Sequence, residues 1–275
     1  MEKKVTLREK ADQNEETRWY KNLDPNKQGL VLTNDIDSIY CCMLLYRWFG
    51  LKVHWFYDFS TIYSDGSDLE KIWIDCSVCK GKCFDNHVTR YSSTSQNYNR
   101  ESININNLYN VSNDNYSKKY CGSTLLELYS LYEKPLPKRD TLVVMLAIDS
   151  SYLGYYNPYF RDAWIDNMAN KLGFPEVVDL VAKFDEKKFE QLGILNHGTN
   201  EVTLDFTTQK LTSNLSLDEY LKNTKFPYVE KSFIRYGEMK VEFLKDKHIK
   251  YDNVFSLAYT HRNRMCLTTY NDLYY

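Results

Sequence analysis

The sequence lacks any apolar run near the roughly 18 residues that a membrane span requires, and its charged N-terminus lacks the apolar core of a signal peptide. We therefore expect a soluble, cytoplasmic protein that makes no membrane contact. The chain also lacks an excess of one charge, since its formal net charge is -2 over 275 residues. This balance argues against a generally basic surface that coats nucleic acid, although a local cationic groove would not alter the total.

A framework of paired cysteines is also lacking. The seven cysteines are an odd number in a chain without a secretion signal, so we expect reduced thiols. Cys76, Cys79 and Cys83 include a C-x-x-C spacing, which alone suggests zinc or redox chemistry. No second pair follows at the right spacing, and Cys121 or a distant histidine would have to complete a zinc site. We therefore regard this alternative as the weaker one.

The sequence does contain two aspartates between an apolar run and an apolar helical segment. Residues 30–32 have the pattern of a buried parallel strand, and residues 39–49 that of the following helix. Asp35 and Asp37 would then lie at the carboxyl end of a strand, where open α/β sheets bind ligands. One explanation is a hard divalent metal that offsets their repulsion. The other is that one of them caps the helix together with Ser38.

Two further predicted strands also end at an aspartate. Residues 71–76 (KIWIDC) carry Asp75 near their end, and the apolar residues 141–148 (TLVVMLAI) run directly into Asp149. Parallel strands separated by helices would bring these carboxylates to one edge of a sheet. Three such strand ends favour a metal site over helix capping alone.

The remaining segments predict a mixture of helices, loops and short strands. The Ser, Asn and Tyr content of residues 90–119 predicts either a long loop or a partly disordered insertion, in which tyrosines are available for base stacking. A core-packing helix is expected after Gly122, and a helical connection over residues 151–195. Alternation at residues 202–206 and 240–244 predicts strands of a smaller α+β domain.

The order of these segments resembles the successive motifs of the DHH phosphoesterase family, which includes RecJ-like exonucleases and nanoRNases. The resemblance covers about residues 29–160. The matching segments are TNDIDS (33–38), WID (73–75), DNH (85–87), STLLELYSL (123–131) and AIDS (147–150). It implies an α/β fold with a parallel-sheet, DHH-like domain and a smaller C-terminal α+β domain. The expected division is an N-terminal arm, a catalytic domain, a helical connection and a substrate-binding domain, at residues 1–28, 29–160, 161–195 and 196–275.

The resemblance also implies a two-metal site that holds two Mn²⁺ or Mg²⁺ ions. Asp35 and Asp37 would bind one metal each, Asp75 would bridge the two ions, and Asp149 would bind the second. Asn86 occupies the position of a metal-binding histidine of the family and could offer its carbonyl oxygen as a ligand.

In the family mechanism two ions polarise the phosphoryl oxygens and activate a water for in-line attack. Asp75 and His87 are the expected catalytic residues, with His87 in contact with the phosphate, and Arg262 and Arg264 are candidates to grip the substrate. The implied activity is that of a metal-dependent phosphodiesterase or phosphatase that hydrolyses a short nucleotide or oligonucleotide. The alternative is a catalytically degenerate relative that binds a nucleotide or a protein partner. A homodimer is an open alternative for the assembly.

Overall fold

A mixed α/β fold is built around one extended sheet. The computed structural model describes residues 5–147, 150–195, 202–213, 234–245 and 254–270. The strands are β1 (Gln28–Thr33), β2 (Val53–Tyr57), β3 (Thr61–Ser64), β4 (Glu70–Ile74), β5 (Cys83–Phe84), β6 (Ser102–Ile103), β7 (Val202–Asp205), β8 (Lys210–Ser213), β9 (Ile234–Lys245), β10 (Val254–His261) and β11 (Arg264–Tyr270).

Helices are distributed from the N-terminus to the middle of the chain. They are α1 (Leu7–Gln13), α2 (Ile36–Phe49), α3 (Ile105–Leu108), α4 (Thr124–Leu131), α5 (Arg139–Ala147), α6 (Leu153–Tyr156), α7 (Arg161–Asp166), α8 (Pro175–Ala182) and α9 (Glu186–Leu195). The described residues also contain short 3₁₀ turns at Glu15–Asn22 and Tyr116–Lys118 and a π-helical turn at Asn167–Lys171. Within the described ranges no helix is both long and apolar enough to cross a membrane.

The sheet has the strand order β10-β11-β9-β3-β2-β1-β4-β5-β6. Neighbouring strands in the run β2-β1-β4-β5-β6 pair in parallel. β3 and the C-terminal strands pair antiparallel. All six residues of β1 are buried, as expected for a central parallel strand covered on both faces. The predicted strands at residues 30–32 and 71–76 are confirmed, as is the mixed α/β class with a mostly parallel sheet.

The turn from β1 into α2 follows from local capping chemistry. Asp35 adopts an extended conformation and its Oδ1 accepts a 2.8 Å hydrogen bond from the backbone N–H of Ser38. At the other end Gly50 has a φ of 73°, and its N–H donates to Tyr46 O. That left-handed conformation is where glycine ends helices without a steric penalty.

One predicted strand is wrong. Residues 141–147 belong to helix α5, so Asp149 does not follow a strand at this point; Ile148 and Asp149 themselves lie outside the described residues. Every residue from Leu142 to Ala147 is buried, and an element that is apolar on all sides has no helical period in its sequence. Leu, Met and Ala favour a helix there, and α5 packs against α9, where Gly193 lies close to Ala147 O.

Strands β9 to β11 continue the N-terminal sheet and then fold over it, whereas β7 and β8 pair with each other in a separate two-stranded sheet. β9 pairs with β3, and β10 makes isolated bridges at Val78 and Val88, in the loops after β4 and β5. Phe255 of β10 packs against Trp73 on the sheet face opposite to the main helical core. The helical connection and both predicted C-terminal strands are confirmed. The sheet crosses the expected boundary between domains, and the division into domains stays a prediction.

Residues 90–119 form a packed loop that contains β6 and α3. Five of its asparagines are buried, and several of their side chains hydrogen-bond backbone groups that the loop would otherwise leave unpaired. Asn99 Nδ2 donates to the carbonyls of Val78 and Gly81, and Asn106 Nδ2 donates to Asn86 O. This segment is therefore a long loop, which is the first of the two interpretations offered by the sequence.

Candidate metal centre

The carboxyl ends of three neighbouring strands carry the candidate site. β1, β4 and β5 are adjacent and parallel, and they lead into Asp35, Asp75 and Asp85 respectively. Hydrogen bonds tie these ends together, since Ser38 Oγ donates to Ile74 O and the N–H of Asp75 donates to Phe84 O. Strand topology therefore gathers acidic side chains that lie up to 50 residues apart in the sequence (85 minus 35).

Asp75, Asp85 and His87 form a group with the composition of a metal site. One potential ligand atom of each lies within 4.8 Å of those of the other two. Asp75 is 5 % exposed and Asp85 is fully buried, while the His87 side chain is 37 % exposed. Carboxylate oxygen and imidazole nitrogen suit Mn²⁺, Zn²⁺ or Fe²⁺, and the partly open histidine gives access from solvent.

Asp85 fixes the orientation of His87. Its Oδ1 lies 2.7 Å from His87 Nδ1, and its Oδ2 accepts a 2.8 Å hydrogen bond from Asn104 Nδ2. Asn104 also donates to the carbonyl of His87, so both residues are held from one point. With Nδ1 directed at a carboxylate, Nε2 is the ring nitrogen left to bind a metal or a phosphate.

The charges of this group perturb one another strongly. Burial by itself lowers the pKa of His87, but the charge and hydrogen bond of Asp85 outweigh it and raise the pKa to about 10. Burial and the neighbouring Asp75 carboxylate raise the pKa of Asp35 well above its ordinary value. Carboxylates that hold protons for this reason would ionise readily beside a cation.

Asp75 adopts a backbone conformation that is rare for a residue with a side chain. Its φ is 51°, in the left-handed region, and its Oδ1 accepts a 2.7 Å hydrogen bond from Thr124 Oγ1. Aspartate is one of the few residues that tolerate this region, at a cost of about 1 kcal/mol or more. The conformation turns the chain at the end of β4, where the acidic group lies.

Asp35 and Asp37 have different surroundings. Asp35 caps α2 and lies beside Asp75. Its position is therefore compatible with both explanations offered by the sequence, helix capping and a metal site. Asp37 is 1 % exposed and accepts hydrogen bonds from the backbone N–H groups of Thr124 and Leu125, at 2.6 and 3.0 Å. Its carboxylate therefore also caps α4. The assignment of one metal ion to each of these aspartates stays a prediction.

The other residues assigned from the sequence are placed as follows. Asn86 is 7 % exposed, and its Nδ2 donates to Gly122 O at 2.7 Å. Its role as a ligand stays a prediction, and Asp149 lies outside the described residues. Arg262 and Arg264 are exposed at the β10–β11 turn, which contacts the loop at Asn113.

Sequence reasoning missed two charged neighbours of the site. Glu127 of α4 is 3 % exposed, and its Oε2 accepts a hydrogen bond from the N–H of Ile105. Burial is the largest cause that raises the pKa of Glu127 well above its ordinary value, and nearby acids, including Asp85, raise it further. The sequence feature that could have identified Glu127 is its position inside an otherwise apolar helical stretch. Half-buried Lys119 acts on His87 through its charge, and no sequence motif distinguishes it from the other lysines.

The cysteines do not contribute to a comparable group. Within the described part of the chain, no group of three potential metal ligands includes a cysteine. Burial raises the pKa values of the Cys76 and Cys83 thiols well above the ordinary value, which favours the protonated and unreactive form. The described residues therefore give no support to zinc or redox chemistry at the C-x-x-C spacing.

Comparison with known proteins adds no relative to this description. No protein family, curated protein or solved structure matches the chain. The acidic group is therefore the feature of the chain from which a function can be inferred.

Proposed function

We propose that the protein is a divalent-metal-dependent phosphoesterase that hydrolyses a short nucleotide or oligonucleotide, as members of the DHH family do. The observation that carries the proposal is the convergence of Asp75, Asp85 and His87 at the carboxyl ends of parallel strands, with Asp35 beside Asp75. A cluster of buried carboxylates repels an anionic substrate unless a cation lies between them. Their convergence therefore favours a metal-dependent reaction over direct binding of an anion.

The residues fit a divalent ion with oxygen and nitrogen ligands. Asp75 and His87 Nε2 would hold the ion, Asp35 beside Asp75 would be a further ligand, and Asp85 would orient His87 from behind. When bound, such an ion polarises a phosphoryl oxygen and lowers the pKa of water, which is the chemistry that phosphate ester hydrolysis needs. The identity of the ion, Mn²⁺ or Mg²⁺, and the presence of one ion or two are parts of this proposal.

Lys119 is the cation that we assign to the substrate phosphate. It is half-buried, its charge acts on His87, and its Nζ lies 5.6 Å from the centre of the Tyr116 ring. The segment that carries it also contacts the DNH motif, because Asn86 donates to Gly122 O. A lysine at this position would offset the charge of the phosphate without entering the metal coordination.

A second function, binding without hydrolysis, is favoured by one observation. Both oxygens of Asp37 are engaged by backbone N–H groups of α4, so this carboxylate has a structural use that requires no metal. A chain that has kept the fold but lost the second ion would bind a nucleotide or a protein partner through the same surface.

The test is manganese-dependent hydrolysis of bis-p-nitrophenyl phosphate, a dinucleotide, a cyclic dinucleotide and single-stranded DNA. We expect activity that requires the metal, and its loss together with bound metal in Asp75→Asn. Asp179→Asn, which changes an exposed aspartate of α8, is the matched control and should keep both. A folded protein that binds Mn²⁺ but turns over none of the four substrates would support the binding function instead.

A further inference from the structure

A cavity separate from the acidic group lies at the β6 edge of the sheet. Its volume is about 220 Å³, and its walls come from α1, from the loop before β6 and from the end of α3. α3 separates the two sites. Asn104, which precedes α3, holds Asp85 and His87, whereas Asn107 and Asn110 at the far end of α3 line the cavity.

Two cations and several amides line this cavity. Lys10 is half-buried at the end of α1, and Arg100 is exposed on the opposite wall. Glu16 lies 3.9 Å from Arg100, so one acid partly offsets these two positive charges. Together the lysine, the arginine and the amides provide many N–H donors, which is the combination that binds phosphate oxygens.

Buried Arg90 holds two walls of the cavity in place. It is 3 % exposed, its guanidinium lies 4.3 Å from the centre of the Tyr98 ring, and its Nη1 donates to Asn110 Oδ1 at 2.6 Å. Its Nη2 also donates to the carbonyls of Ser93 and Ser95. Tyr98 and Asn110 are thus fixed without a ligand, which lowers the entropic cost of binding one.

The wall also contains a buried polar group that the protein leaves unsatisfied. Asn107 is 5 % exposed, and its Nδ2 has no hydrogen-bond partner among the described residues, although its Oδ1 accepts a hydrogen bond from Thr89. Because this nitrogen is shielded from solvent, Asn107 shapes the wall of the cavity and does not offer this N–H to a ligand directly.

We propose that this cavity binds a phosphate monoester no larger than a mononucleotide, in contact with Lys10 and Arg100. The cations and amides select the phosphate, the Tyr98 ring offers a surface for a flat base, and the volume matches a single small ligand. This binding site is additional to the proposed phosphoesterase site and does not depend on its activity.

Calorimetry on the full chain in excess chelator tests the proposal, because without metal the acidic group repels phosphate. The probes are AMP, inorganic phosphate and, as an uncharged control, adenosine. We expect AMP and phosphate to bind, adenosine to bind much more weakly, and Lys10→Gln/Arg100→Gln to reduce the affinity for AMP about tenfold or more. Asp75→Asn should leave AMP affinity unchanged, and Lys52→Gln/Lys138→Gln, at two other lysines, is the charge-matched control.

Three results would overturn the proposal. These are no heat from AMP or phosphate at millimolar concentration, equal affinity for adenosine and AMP, and equal weakening by the control pair. Thermal unfolding of each variant establishes that it is folded, and the conservative pair Lys10→Arg/Arg100→Lys should retain most of the affinity. None of these readouts uses turnover, so they do not depend on the outcome of the phosphoesterase assay.

Discussion

Asp37 at the start of α2 caps α4, because its Oδ2 accepts a 2.6 Å hydrogen bond from the backbone N–H of Thr124. The two residues are 87 positions apart in the sequence. A carboxylate at a helix N-terminus satisfies unpaired N–H groups and opposes the positive end of the helix dipole. Asp37, one aspartate of the TNDIDS motif, therefore links α2, the helix that follows β1, to α4, the helix that carries Glu127.

We predict that Asp37→Ala destabilises the metal-free protein by about 1 to 3 kcal/mol, because two buried N–H groups lose their acceptor. Urea unfolding followed by circular dichroism measures this loss. Asp179→Asn, at an exposed position of α8, should change stability by less than about 0.5 kcal/mol. A variant as stable as the wild type would show that α4 needs no cap from α2.

Sequence patterns were sufficient for the parts of the fold in which local and tertiary preferences agree. The strand before Asp35, the strand before Asp75 and the helix after Ser123 all follow from apolar runs and caps. Residues 141–147 could not be assigned in this way, because a helix buried on every side and a buried strand have the same apolar sequence.

The site was predictable where residues follow strands and not where they meet through packing. Asp35 and Asp75 were found because strand ends mark them. Asp85 was noticed only as part of the DNH motif, since β5 has just two residues and no strand pattern. Lys119 lies in a loop and acts on His87 through its charge, which no periodicity records.

We predict that ionised His87 makes the metal-free protein more stable below pH 6.5 than above it. The pKa of His87 is raised from its ordinary 6.5 to about 10, because the charge and hydrogen bond of Asp85 outweigh the opposing effect of burial. Its contribution to stability is therefore complete below pH 6.5 and is lost as the pH rises to about 10. Urea midpoints between pH 6 and about pH 10, in chelator, measure the effect.

The variants His87→Gln and Asp85→Asn should each flatten this part of the pH profile. His261→Gln changes an exposed histidine at the end of β10 and should keep the profile of the wild type. If His87→Gln loses as much stability over this pH range as the wild type, the dependence comes from other groups.

We predict that Glu127→Gln stabilises the metal-free protein at neutral pH. Burial and the acids around it raise the pKa of Glu127, so ionisation at neutral pH opposes folding. Glutamine keeps an acceptor for the N–H of Ile105 and removes the charge. Because the folded pKa is raised, the advantage should grow as the pH rises above about 4.5, where the unfolded chain ionises, and vanish below it.

Thermal unfolding of Glu127→Gln at several pH values, in chelator, measures this advantage. Glu190→Gln, at an exposed position of α9, is the control and should unfold as the wild type does. With saturating Mn²⁺ the order should reverse if Glu127 contributes negative charge to the metal centre. Equal or lower stability of Glu127→Gln in chelator at all pH values would mean that the buried carboxylate is accommodated without cost.

We predict that Lys119→Met weakens substrate binding without weakening metal binding. Lys119 acts on His87 through its charge, and methionine keeps its length while removing that charge. The KM for a dinucleotide should rise about tenfold, as expected for the loss of one charge-assisted contact to phosphate. The Kd for Mn²⁺ should stay the same or fall, because a competing cation has been removed.

The neighbouring lysine makes this test specific. Lys118 is exposed, and Lys118→Met removes the same charge one residue away. If both variants raise KM equally, the effect is one of overall surface potential, which salt would screen. If only Lys119→Met does so, and the difference persists at high salt, the lysine contacts the substrate directly. An unchanged KM in Lys119→Met would remove this residue from the phosphate site and leave the exposed Arg262 and Arg264 as the remaining candidates.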